Sequence, residues 1–258
     1  MPRSMDATDW EQRQAAHYDA IAREYEEHYS DEWSLRYRRT FINERLTRGI
    51  DLAGARVLDA MCGSGQLASY LEAAGARVTG LDVSPEVIER FRTEHPDSEG
   101  VARSIFDSGF EDGLFDAVMV VGGLHHVHPE TDRAVTEIHR ILRPGGHLCF
   151  AEPYVGSLPD LARRLWYRFD PLFEANEAGI DLAHLMRTNA DRFEFDRPTY
   201  TGGPAYLLVF NSMVFRVPRA LKRIYSPLLL LAERPIQRLQ GRRTACIVVC
   251  QWRKTATV

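Results

Sequence analysis

RVLDAMCGSGQLASYLEAAGARVTGLD, residues 56–82, is the stretch on which the fold turns. Arg56 to Ala60 reads as a short apolar strand, Gly63-Ser64-Gly65 as a loop, Gln66 to Ala74 as a helix and Arg77 to Leu81 as a second strand. A strand returned by a helix to another strand is a βα unit, and the crossover makes the two strands parallel.

The same alternation continues downstream. Ser84 and Pro85 form an N-cap and N1 pair that opens a helix, and Gly100 to Ile105 is a third strand. Phe115 to Val121 is continuously apolar, as a strand covered on both faces must be. Pro129 opens a helix with Ala134, Val135, Ile138, Ile141 and Leu142 on one face; Pro144-Gly145-Gly146 stops it, and His147 to Ala151 is a fifth strand. Repetition of such units predicts a doubly wound α/β sheet. Beyond Pro153 the regularity is lost. Leu158 to Asn189 is helical and amphipathic, Phe193 to Thr201 and Thr244 to Trp252 are late strands, and between them lie apolar-basic helices from Tyr206 to Leu239, interrupted by Pro218, Pro227 and Pro235. Upstream, residues from about Asp9 to Arg48 read as helical, with Tyr18, Tyr25, Tyr29, Trp33, Tyr37 and Phe41 along one side. The expected organisation is one structural domain: an N-terminal helical lid over 1–50, a Rossmann-like core over 51–155, a helical cap over 156–192, and the late strands with their insert over 193–258.

Composition narrows the function classes. The 258 residues are 45% hydrophobic and 26% charged, ordinary for a globular chain. The longest purely aliphatic run, Leu228 to Leu231, is far too short to span a bilayer. The first residues are polar and acidic and lack the apolar centre of a signal peptide. Four cysteines make no disulfide framework, so a reduced, cytoplasmic setting is expected. The net charge of −4 hides a split: from Thr201 onward ten Arg or Lys face a single acid, Glu233. That imbalance suits an anionic partner, peripheral membrane contact, or merely a solvated basic face. Nucleic acid is not an expected partner, because the chain is acidic overall and Gly-Gly-Leu-His, not a base-flipping signature, follows the fourth strand.

Gly63-Ser64-Gly65-Gln66-Leu67-Ala68 fits the G-x-G-x-x-G/A pattern that dinucleotide-binding proteins share, so the loop alone does not name its ligand. Asp59 says more. A carboxylate at the end of the first strand would repel a pyrophosphate held by the loop amides, whereas it attracts a ligand carrying an ammonium and a sulfonium. Asp82, ending the second strand, is placed to accept hydrogen bonds from ribose hydroxyls. The alternative for both acids is a cap or loop anchor.

VLDAMCGSGQLASYL from Val57, VTGLDVSPEVIERF from Val78, FDAVMVVGGLHHV from Phe115 and ILRPGGHL from Ile141 are similar to successive motifs of class I S-adenosylmethionine-dependent methyltransferases, over roughly residues 55–152. The resemblance implies a seven-stranded sheet with a reversed terminal hairpin and S-adenosylmethionine as cofactor. It implies that Gly63 and Gly65 approach the cofactor's methionine part, with Met61 and Ser64 also at the cofactor, that Asp82 takes the ribose, that Val83 lies against adenine, and that the backbone at Gly122 and Gly123 passes the methionyl group. Tyr18 and Tyr25 are expected to close over it. The family's adenine-side Asp aligns with Ser104, followed by Ile105, a weaker set of contacts in which Asp107 is a substitute.

Methyl transfer is an in-line displacement, so the protein aligns the acceptor, excludes water and, for some acceptors, removes a proton. His125 and His126, just past the fourth strand, and Glu152, ending the fifth, are the candidate bases. No metal site is expected. The anticipated activity is methylation of a small, apolar or anionic acceptor. The alternative is cyclisation or rearrangement with the cofactor held structurally.

Overall fold

The computed structural model describes residues 29–167 and 178–256. Tyr18 and Tyr25 therefore lie outside the described residues. Five parallel strands form the core of the sheet: β1 (Arg56–Ala60), β2 (Arg77–Asp82), β3 (Glu99–Ala102), β4 (Phe115–Val121) and β5 (Leu142–Pro153). β8 (Ile247–Lys254) runs antiparallel to β5, and β6 (Phe193–Phe195) and β7 (Thr199–Thr201) both pair with β8. β6 faces the end of β8 and β7 its beginning, so the two are one edge strand interrupted by Arg197-Pro198, where proline has no N–H for the ladder. The order is β3-β2-β1-β4-β5-β8-β6, a doubly wound sheet with a reversed hairpin at one edge.

Strand periodicity sorts the core into two layers. Leu58, Ala60, Val118, Val120, Leu148 and Phe150 face one layer, under the helix Thr131–Ile141. Val57, Ala117, Met119 and Cys149 face the other, under the helices Ala68–Ala73 and Pro85–Glu94 and the N-terminal helix. The register explains why a near-continuous apolar run reads as β4: both its faces are covered. Ser84 caps its helix as expected, its hydroxyl accepting from Val87 N at 3.1 Å with Pro85 in the first turn.

Three sequence boundaries need correction. Pro144-Gly145-Gly146 does not precede the fifth strand but lies inside it, as a bulge between the Phe115↔Leu142 and Ala117↔His147 pairs. A side chain at Gly146 would meet the Arg143 and Asp116 carbonyl oxygens at 2.9 Å, so the bulge requires glycine. The expected cap helix is two helices, Leu158–Tyr167 and Leu182–Thr188. Pro227 and Pro235 do not interrupt the insert: Arg219–Leu239 is one helix that contains both.

In the N-terminal helix, Glu32–Tyr37 continues through a wider π turn at Arg38–Asn43 into Glu44–Leu46. Tyr29, Tyr37 and Phe41 are buried in the core, which is where their helical spacing points.

Candidate functional site

Sheet order reverses between β1 and β4, and the loops leaving their carboxyl ends face the crevice where open α/β sheets hold ligands. The loop after β1 is shaped by three left-handed residues, Met61 (φ 58°), Gly63 (φ 55°) and Gly65 (φ 89°). Gly65 has a second reason to be glycine: a Cβ there would lie 2.3 Å from the ring of His95, which is itself held by Glu72 at 3.0 Å. Asp82 is the loop's anchor. One of its oxygens accepts from Gly63 N at 3.1 Å and the other from Ser84 N at 3.1 Å, tying the loop to the next helix. Each carboxylate oxygen has acceptor capacity beyond one donor, so the anchor and ribose roles are compatible.

Asp59 lies beneath this loop rather than on its open side. Its side chain is 3% exposed, it accepts from the Ala68 N–H, and its Oδ2 has no hydrogen-bond partner among the described residues. Burial pushes its carboxyl up to about 8, while Arg38 and the Ala68 amide pull it down. Arg38 was not singled out by sequence. It is buried at the π turn with its guanidinium 5.3 Å from the Phe210 ring, so the N-terminal helix supplies a cation to the β1 carboxylate. Nothing in a helix of mixed charges distinguishes it, because only the fold brings residue 38 against residue 59.

The loop after β4 touches the first. Gly122 adopts φ 70° and its N–H meets Ala151 O at 2.9 Å, while a Cβ on Gly123 would stand 2.8 Å from the Met61 sulfur. The 3-10 turn Leu124–Val127 then carries the histidines. Glu152, fully buried at the end of β5, accepts from Gly123 N and Leu124 N at 2.8 Å through Oε1. Through Oε2 it accepts from His125 N at 3.3 Å and His125 Nδ1 at 2.8 Å. Its two oxygens hold a loop and an imidazole. With Nδ1–H directed at Glu152, Nε2 is the basic nitrogen of His125. The His126 ring lies 3.9 Å from that of His125, centroid to centroid.

Comparison with known proteins bears on what this crevice holds. Residues 58–150 match the methyltransferase domain family. Over 196 residues the chain is 33% identical to the methyltransferase GfsG of Streptomyces halstedii, covering 67% of each chain. The chain belongs to the class I S-adenosylmethionine-dependent methyltransferases. It is also 37% identical over 112 residues to the phthiotriol/phenolphthiotriol dimycocerosates methyltransferase of Mycobacterium leprae, covering 42% of this chain and 41% of that one. The aligned part is thus about two thirds of the first relative's length and two fifths of the second's. Among solved structures, an S-adenosylmethionine-dependent methyltransferase from Thermotoga maritima superposes with a TM-score of 0.63 at 16% identity, over 93% of this chain and 99% of that one, a likeness of fold.

The residues present fit the family's cofactor, S-adenosylmethionine. A buried carboxylate oxygen without a partner lies under a glycine loop whose amides and positive-φ turns leave room for a close approach. Of the residues expected near adenine, Val83 is half-buried and Ile105 is 5% exposed. Ser104 Oγ accepts from Phe106 N at 3.0 Å, closing its own turn, and Asp107 is exposed. Ser64 Oγ accepts from Gln66 Nε2 at 2.8 Å on the outer side of the loop. Among the described residues no group of three or more His, Cys, Asp or Glu is arranged to hold a metal ion.

Of the basic side chains of the 205–243 insert, Arg223, Arg234 and Arg238 are exposed, and Lys222 is buried against Asp31 and Ser34.

Proposed function

We propose that this methyltransferase transfers the cofactor's methyl group to a nucleophilic atom of a small-molecule acceptor, with His125 as the base that takes the acceptor's proton. The observation that carries the reading is the Glu152–His125 bond at 2.8 Å, built into the loop that touches the glycine loop through Gly123 and Met61. S-adenosylmethionine supplies the electrophilic methyl when bound. The chain's own task is to hold the acceptor in line and to manage its proton. Glu152 fixes the rotamer and tautomer of His125, and the three backbone N–H groups it also accepts keep that carboxylate from swinging away.

The experiment incubates the full chain with methyl-labelled S-adenosylmethionine and cell extract, then identifies the labelled product. Expected is a small molecule heavier by one methyl, formed in step with S-adenosylhomocysteine. A product of unchanged mass would overturn methyl transfer in favour of rearrangement. With the acceptor in hand, His125→Ala should lower kcat by about 10²–10⁴. Glu152→Gln should lower kcat less and displace the pH–rate profile with little change in KM. An unmoved profile would mean Glu152 only braces the loop.

A further inference from the structure

The helix Arg219–Leu239 is turned inside out relative to an ordinary surface helix. Its inward face carries Lys222, Ser226 and Glu233, all buried. Glu233 accepts from Gly203 N at 2.6 Å and Ala205 N at 2.9 Å, and Lys222 meets Asp31 and Ser34. Its outward face carries Leu221, Ile224, Leu228 and Leu231, each between 51% and 72% exposed. At 100° per residue these four fall in one stripe, while Arg223, Arg234 and Arg238, all exposed, fall together along one flank.

The helix Leu158–Tyr167 repeats the design. Asp160 is buried and held by Arg163 and Arg164, whereas Leu158, Leu161 and Leu165 are 59–68% exposed. The shorter helix is tied to the segments that flank the long one: Leu158 N donates to Arg243 O at 2.9 Å, and Trp166 lies 5.5 Å from Phe215. Asp160 and Glu233 are buried, whereas Arg164, Arg223, Arg234 and Arg238 are exposed.

We propose that the outer face of Arg219–Leu239 docks on an anionic lipid membrane, with the helix lying in the interface plane. A contiguous aliphatic stripe with an arginine flank and no exposed carboxylate on the long helix is the pattern of interfacial insertion. Neither helix is long and apolar enough to cross a membrane, so the contact is in-plane. A second copy of the chain is the poorer occupant, because a two-fold contact through this face would bring its arginine flank near its own image. The inference does not depend on which acceptor is methylated.

The test is partitioning of the full chain onto vesicles of phosphatidylcholine with and without phosphatidylglycerol. Strong binding is expected on the anionic vesicles and weak binding on the neutral ones. Ile224→Glu with Leu228→Glu should lower partitioning roughly a hundredfold. Arg223→Gln, Arg234→Gln and Arg238→Gln together should lower it by about the same factor on anionic vesicles only. All five side chains are exposed, so unchanged circular dichroism is expected. Wild-type protein that ignores anionic vesicles, or variants that bind as wild type, would overturn the proposal.

Discussion

Two helices of this chain obey opposite rules. Thr131–Ile141 buries Ala134, Val135, Ile138 and Ile141 against the sheet and keeps its charged side chains off that face. Arg219–Leu239 buries Lys222, Ser226 and Glu233 beside Leu230 and leaves Leu221, Ile224, Leu228 and Leu231 outside. The first is held by apolar burial, the second by Leu230 together with a polar seam that includes the N-terminal helix. Besides Lys222 with Asp31, that seam contains Tyr37 OH to Glu233 at 3.5 Å and Arg45 Nη2 to Gln237 at 2.6 Å. The difference teaches that amphipathicity tells which two faces a helix has, but not which of them the protein covers.

The contrast can be broken most directly at the seam. Glu233→Ala removes the acceptor of two buried amides and should destabilise the fold by about 4 kcal/mol, read by denaturant unfolding. A loss under about 1 kcal/mol would show that the seam is not what holds the helix.

Ile138→Ala, at a fully buried core position, should cost about 3 kcal/mol in the same assay. A much smaller cost would place the core's stability elsewhere than in that layer.

Asp59 is the core's own exception, a buried acid on a central strand. Its folded pKa, about 8, lies above the unfolded value, so wild-type protein loses stability as pH rises between about 4 and about 8. Asp59→Asn lacks that loss. In cofactor-free protein its advantage should be absent near pH 4, grow by about 1.4 kcal/mol per pH unit across the window, and level off above pH 8. Melting curves at a series of pH values read it, and a gain that is flat with pH would mean that Arg38 already neutralises the charge.

Ile224→Ala should be the smallest effect, within about 0.5 kcal/mol, because the side chain is 72% exposed. Set beside Ile138→Ala, it measures the comparison with the same chemical change on both helices. A loss similar to that at Ile138 would show that something covers the outer stripe.

Much of the core was legible because its signals are local. β1 and β4 fall on the residues the apolar runs mark, and Ser84-Pro85 opens its helix because a cap needs only a hydroxyl three residues before an amide. The glycine loop was legible for the same reason: positive φ and close approach both exclude side chains, and the sequence answers with glycine. The bulge in β5 and the uninterrupted 219–239 helix were misread because Gly and Pro mark a local disturbance, while strand pairing or helix packing decides whether the element continues through it.

By itself, then, the sequence determined the parallel sheet, the glycine loop, Asp82 beside it and the family, all of which depend on periodicity and on residues near one another along the chain. Tertiary structure alone decided that Arg38 reaches Asp59, that Glu152 grips the Gly123–His125 backbone and imidazole, and that the long helix turns Leu221, Ile224, Leu228 and Leu231 outward. Each of those joins residues 20 or more positions apart, and their energies come from burial and charge pairing that exist only once the sheet has brought the partners together.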